Sequence, residues 1–255
     1  MNDPVSVQLY SLRKLGSLER ELAVVAEAGY RHVELIGTHV DEPETTRKAL
    51  ARAGLAVSSA HVSLAALRER FEAIVQACKT LGFTELYMPA VPREQRAAPP
   101  PFWRALGHEL GTMAELSVRE GVNLGYHNHD WELKVDTDGK DALSLLFDAA
   151  GSAPLFWEVD LAWLARGGAD PLALMRRHAG RVNAVHVKDL APAGTKLDED
   201  GWADVGSGTL DWPALWPECR RLGARWMVVE HDNPIDPEQS VRTSLDFIRG
   251  IEANP

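Results

Sequence analysis

A chain of 255 residues with 45% hydrophobic and 25% charged side chains can bury a large core without disulfides, and its only cysteines, Cys78 and Cys219, offer neither a disulfide framework nor a thiolate zinc site. A formal net charge of −10 opposes nonspecific binding to nucleic acid or acidic membranes, since both need a basic surface. No apolar run approaches the ~20 residues that cross a bilayer, and residues 1–13 lack the basic and apolar regions of a signal peptide, so a soluble cytoplasmic protein is expected.

The chain opens with an apolar strand at residues 5–9, after which Tyr10-Ser11-Leu12 leads into helix with no glycine-rich dinucleotide fingerprint. A unit then recurs. A helix-like stretch ends at glycine, and a short apolar run follows and finishes in ionisable side chains. Gly29 precedes the run containing Glu34, Gly54 the run that reaches His61, and Gly82 the run at residues 85–89. Gly121 leads to His127 and His129, Gly151 to Glu158 and Asp160, Gly180 to His186 and Lys188, and Gly223 to Glu230, His231 and Asp232. Glycine just past a helix accepts the left-handed conformation that closes its last turn. The short apolar runs suit strands buried on both faces of a parallel sheet.

Successive glycines of this set lie 25, 28, 39, 30, 29 and 43 residues apart, enough for one strand, one helix and two connections. Seven units and the opening strand give eight strands, which predicts a (β/α)₈ TIM barrel occupying residues 1–255 as one domain. The two longest intervals leave room for loops at residues 92–102 and 190–212, placed to cover the mouth of the barrel.

Active sites of such barrels lie at the C-terminal ends of the strands, so the polar strand endings form one set. Alternation puts Glu158 and Asp160 on one face of the sixth strand, and His186 and Lys188 on one face of the seventh. If those faces point inward, Asp160 and His186 meet near the barrel axis and Glu230 closes in from the eighth strand. Two carboxylates and an imidazole suit a single Mn²⁺, Mg²⁺, Co²⁺ or Zn²⁺ ion. A fourth ligand is expected from residues 126–132. An isolated acid or histidine usually satisfies a hydrogen bond or caps a helix, and Glu34, His39, His108 and His178 are read that way.

The segments Gly125-Tyr126-His127-Asn128-His129-Asp130-Trp131-Glu132, Val159-Asp160-Leu161-Ala162-Trp163, Val185-His186-Val187-Lys188-Asp189 and Val229-Glu230-His231-Asp232 resemble the sugar phosphate isomerase/epimerase family of xylose isomerase-like barrels. Residues 205–212 resemble that family's loop between the seventh and eighth strands. The resemblance runs from the first strand to about Asp236. It implies one divalent metal held by two glutamates, an aspartate and a histidine, and Asp160, His186 and Glu230 match that pattern. The fifth strand departs from it, because His127 stands where many members have glutamate. Either His127 is the ligand, or Glu132 reaches back from the loop and His127 or His129 serves as base; Glu132 has the more conventional side chain.

The implied chemistry is isomerisation or epimerisation of a sugar or keto-sugar, phosphorylated or not, through an enediolate. Glu230, His127, His129 and Lys188 are the candidate catalytic residues, and His61, Trp131, Trp163 and Arg166 the candidate substrate contacts. The alternative is dehydration of an inosose or 3-keto-sugar, which shares the intermediate, and a more distant one is a non-catalytic sugar-binding barrel. A DNA-cleaving relative with three zinc ions is disfavoured by the acidic charge. The partners expected are a small polyhydroxylated carbonyl compound and a second copy of the chain, with no nucleic acid and no membrane.

Overall fold

A computed structural model describes residues 4–134 and 139–253; the ends of the expected 1–255 unit and residues 135–138 lie outside the described residues. The strands are β1 (Val5–Gln8), β2 (His32–Leu35), β3 (Ala56–His61), β4 (Glu85–Met88), β5 (Asn123–His127), β6 (Phe156–Asp160), β7 (Val182–Val187), β8 (Asp189–Leu190), β9 (Trp202–Ala203) and β10 (Trp226–Val229). Eight of them close a barrel in the order β1-β10-β7-β6-β5-β4-β3-β2, with every neighbouring pair parallel. This is the (β/α)₈ arrangement that the recurring unit predicts. The remaining two, β8 and β9, form a small antiparallel ribbon that starts at Asp189, one residue before the predicted 190–212 loop, and returns within it. None of the described helices is long and apolar enough to cross a membrane.

The helix ends follow the glycine rule except at Gly151, whose ψ of −125° is not left-handed helical, and at Gly180. Gly54 closes the helix Pro43–Ala53 at φ 70°, where its N–H reaches back to the Leu50 and Ala51 carbonyls. Gly180 instead sits within a 3₁₀ turn, Ala179–Arg181, because His178 has already ended the preceding helix.

Outward strand residues pack under the helices as a continuous apolar core that includes Val7, Val33, Leu86, Leu124, Val159 and Val185. The inward face is unusually polar. Ser6 bonds Ser58 at 2.7 Å, and Gln8 donates to Glu34 at 2.7 Å, so hydrogen bonds rather than methyl contacts stack this side of the interior. Below the mouth the fully buried Tyr87 ring lies against Gly125, where an added Cβ would meet Tyr87 Cδ1 at 2.6 Å and the Phe156 carbonyl oxygen at 3.0 Å. Overpacking of this kind costs about 1–3 kcal/mol. Gly125→Ala is therefore expected to lower the midpoint of thermal unfolding by several degrees; an unchanged midpoint would show that Tyr87 can give way.

Candidate active site

Register and pleat bring the polar strand ends to one level. Asp160 pairs with His186 across β6 and β7, and His127 with Glu158 across β5 and β6. His186 lies opposite Val228, so Glu230 follows two residues on, on the same side of the sheet. Asp160, His186 and Glu230 are all buried, and each presents one ligand atom within 4.8 Å of the others. His186 Nδ1 lies 2.9 Å from Glu230 Oε2 and 4.0 Å from Asp160 Oδ2. The other ring nitrogen faces the opposite way, 2.7 Å from Glu34 Oε1 and 3.3 Å from Glu158 Oε2.

A second group adjoins the first. His61, His127, Glu158 and His186 are likewise buried with ligand atoms inside 4.8 Å. His61 Nε2 is 2.5 Å and His127 Nδ1 3.1 Å from Glu158 Oε2. The opposite oxygen, Glu158 Oε1, is buried without a hydrogen bond. Glu34 is anchored by Gln8 and by the Ser59 hydroxyl at 2.6 Å. Lys188 is fully buried, its ammonium 3.0 Å from Asp160, 2.6 Å from Glu230 and 2.9 Å from Asp232.

These contacts set the charges. Burial alone would strip the proton from Lys188 and His186, but the surrounding carboxylates outweigh it and hold both above their ordinary range. Burial would likewise raise Glu158 and Glu230; His186 and, respectively, His61 and Lys188 overcome it and keep both well below the usual carboxylate range. Glu34 goes the other way, pushed up to about 7 by burial and then by the charge of Glu158. Burial, followed by neighbouring imidazoles, takes His127 down to about 4 and His129 well below the ordinary histidine value.

Above the cluster opens a cavity of about 800 Å³, lined among others by His61, His129, Glu230, Trp131, Trp163 and Arg166. Both long loops contribute to it, through Arg96 and through Asp200 and Trp202. His129 stacks on Trp131 with ring centroids 4.0 Å apart, and the guanidinium of Arg96 covers that indole at 3.7 Å. Arg166 lies 3.3 Å over Trp202 and donates to the Asp200 carbonyl at 2.8 Å. Lys188, a candidate catalytic residue, is not among the residues lining the cavity and is paired instead with Asp160, Glu230 and Asp232.

Glu132, expected as the fourth ligand, lies outside both groups. Its side chain is fully buried, with Oε1 accepting from the Tyr126 hydroxyl at 2.5 Å and Oε2 from the His129 N–H at 2.9 Å. His127, the other possibility from this segment, sits within the second group. Glu34, read from the sequence as a hydrogen-bonding or capping group, accepts from Gln8 and Ser59 and also adjoins the buried cluster through His186. Sequence reasoning named Glu158 and Asp232 only as strand endings, and gave Arg96 and Trp202 no role. The pleat carried a signal for Glu158, two residues from Asp160; nothing comparable marked Arg96.

Glu132 supplies a pH-dependent prediction. Burial raises its carboxyl to about 7, so the folded protein holds a proton there that the unfolded chain releases near 4.5. The stability this contributes is complete below about 4.5 and is lost as pH rises through 7. Glutamine cannot ionise. The melting temperature of Glu132→Gln relative to the parent should therefore rise between pH 4.5 and 8, on top of a constant loss from the amide facing the His129 N–H. A difference that stays flat with pH would refute it, and release of bound metal by this variant would restore Glu132 as a ligand.

The donor chemistry fits a divalent ion. Asp160 Oδ2 is buried with no hydrogen bond, its contact with Lys188 being an ion pair off hydrogen-bond geometry, and two carboxylates and an imidazole surround one point. That set suits a hard or borderline cation.

The family model of the xylose isomerase-like TIM barrel matches residues 22–251. The chain belongs to this family. Among relatives of the xylose isomerase-like barrel, the rhizopine catabolism protein MocC of Rhizobium meliloti is 29% identical over 160 residues, 54% of this chain and 45% of that protein. An inosose dehydratase of Klebsiella pneumoniae is 25% identical over 169 residues, 58% of this chain and 56% of that enzyme. The aligned region thus spans about half the length of these curated relatives. A sugar phosphate isomerase/epimerase of Parabacteroides distasonis shares the fold at a TM-score of 0.79, with 20% identity over 98% of this chain and 94% of that one.

Proposed function

We propose that this xylose isomerase-like barrel is a metal-dependent enzyme that moves a proton at the carbon beside a carbonyl of a small polyhydroxylated compound, isomerising or epimerising a sugar or keto-sugar. The observation that carries the reading is the convergence of Asp160, His186 and Glu230 beneath a cavity walled by tryptophan and histidine. A divalent ion bound by these three would act as a Lewis acid on the substrate carbonyl and its neighbouring hydroxyl, making the adjacent C–H acidic.

The chain's own groups supply the rest. His129 lines the cavity, its ring stacked on Trp131. A neutral imidazole placed there accepts the proton and returns it to the same or a neighbouring carbon, a contribution of typically about 10²–10⁴-fold. Lys188 fixes the Asp160 and Glu230 carboxylates in place. Trp131 and Trp163 line the cavity, and Arg96 and Arg166 lie over the indoles of Trp131 and Trp202 at its wall.

A second reading, dehydration, draws on the similarity to inosose dehydratase. Loss of a β-hydroxyl follows the same proton abstraction, and the imidazoles beside the site offer an acid for the leaving group. One experiment separates the two. Ketoses, inososes and 3-keto-glycosides are incubated with metal-loaded enzyme in D₂O and followed by proton NMR and product mass. Metal-dependent exchange with unchanged heavy-atom composition supports the isomerase, and a product lighter by one water supports the lyase. Undiminished turnover in protein stripped of metal would defeat both.

A further inference from the structure

We propose that the molecule bound in the cavity carries a carboxylate, and that Arg96 is the residue that receives it. The inference rests on the reading of this cavity as a substrate site and narrows the substrate class. An acidic sugar derivative such as a uronate is bound in preference to the neutral sugar.

The cavity wall carries an imbalance of charge. In a chain of net charge −10, four arginines line it: Arg13, Arg70, Arg96 and Arg166. Arg70 is paired with Asp41 at 2.9 Å. Arg13 directs its two terminal nitrogens to the Tyr10 and Asp232 carbonyl oxygens, and Arg166 donates to that of Asp200. Those acceptors are uncharged, so they fix the side chains without cancelling their charge. Arg96 has less. Its guanidinium carbon lies 3.7 Å from the centre of the Trp131 ring, its Nε is sealed from solvent without a hydrogen bond, and no oxygen among the described residues accepts from the group. An indole face supports a cation but offers no lone pair in exchange for its protons, so the terminal N–H groups of Arg96 are left for a ligand. Uncompensated positive charge lining a cleft raises the local concentration of anions.

Two features select a carboxylate over a phosphate. Among the described residues, no lysine lines the cavity. The loop Gly206-Ser207-Gly208, whose main-chain N–H groups could cradle a phosphate, has turned them to Asp189: Gly206 and Gly208 donate to its Oδ2 at 3.0 and 3.2 Å. What remains at Arg96 is one planar fork, which matches the two oxygens of a carboxylate through parallel N–H···O bonds.

The placement suits the reaction. Trp131, which carries Arg96, also stacks on His129 with ring centroids 4.0 Å apart. A carboxylate held by Arg96 is thereby fixed in register with the imidazole assigned the proton transfer. Repulsion from the acids at the cavity floor is blunted where Lys188 pairs with Asp160 and Glu230.

Binding, read without turnover, is the test. Isothermal titration calorimetry on metal-loaded protein compares glucose, galactose and mannose, each as the free sugar, its uronate and its 6-phosphate. In at least one series the uronate should bind about 10-fold tighter than the sugar, the scale of one charge-assisted hydrogen-bonded contact. Arg96→Gln should erase that advantage and leave the affinity for the free sugar unchanged. Arg96→Lys, which keeps the charge without the fork, should retain part of it, and circular dichroism checks the fold of both variants. A uronate preference that survives in Arg96→Gln would put the carboxylate on the metal or on another arginine and overturn the assignment. Equal binding of uronate and sugar, a preference for the phosphate, or no binding in any series would overturn the proposal itself. Exchange in D₂O on the same complexes keeps the two readings apart: uronate selectivity without metal-dependent exchange retains the carboxylate seat and removes the proposed reaction.

Discussion

Glu230→Gln is expected to abolish turnover while leaving the fold intact. The amide keeps the shape of the side chain but not its charge, and Glu230 Oε2 is the atom that meets both His186 Nδ1 at 2.9 Å and Lys188 at 2.6 Å. Losing a charged donor from a three-ligand site weakens the ion's hold, and the polarisation of the substrate goes with it. A decrease of about 10²–10³-fold or more in kcat is the scale set by removing one preorganised electrostatic contact. Bound metal should fall in parallel. The melting temperature of the metal-free variant should fall, because the carboxylate that Lys188 and His186 hold ionised has been replaced by a neutral amide. Full metal content with normal turnover would show that Glu230 serves only to pair Lys188.

Lys188→Met is expected to unfold the metal-free protein much more easily and to be rescued by metal. Lys188 has no exposed surface, and its ammonium touches three carboxylates. Methionine fills much of the volume but leaves those charges without their cation. Breaking a buried ion pair by removing one partner costs roughly 3–5 kcal/mol. For a chain of this size that corresponds to roughly 10 °C in melting temperature. A saturating divalent ion restores positive charge among the same oxygens, so the deficit should shrink sharply on adding Mn²⁺ or Zn²⁺. A metal-free variant that melts with the parent would mean that the carboxylates are neutralised by protons instead.

The barrel was legible in the sequence because its signals are local and repeated. Gly29, Gly54, Gly82 and Gly223 end helices, and a short apolar run follows each. Asp160 and His186 were legible for a related reason: the pleat fixes which side of a strand faces inward, and a closed barrel gives the inward side one axis to share. Glu34 was not. Its strand is four residues long, and an acid within it looks like any capping group until Gln8 and Ser59 are seen to hold it on the axis. Glu132 shows the reverse. A carboxylate in the right segment has ligand chemistry, but the Tyr126 hydroxyl and the His129 N–H engage both its oxygens, a contact that no spacing encodes. Arg96 owes its place over Trp131 to the path of a proline-rich loop, and loop paths leave no periodic trace.

The central claim is that side chains from three separate strands share a cation at the open end of the barrel. X-ray diffraction from Mn²⁺- or Zn²⁺-loaded crystals, collected on both sides of the metal's absorption edge, locates such an ion without reference to activity. The account predicts an anomalous peak within about 2.0–2.3 Å of an Asp160 oxygen, a His186 nitrogen and a Glu230 oxygen. Maps with no peak between these residues, from crystals whose metal content is confirmed, would contradict it.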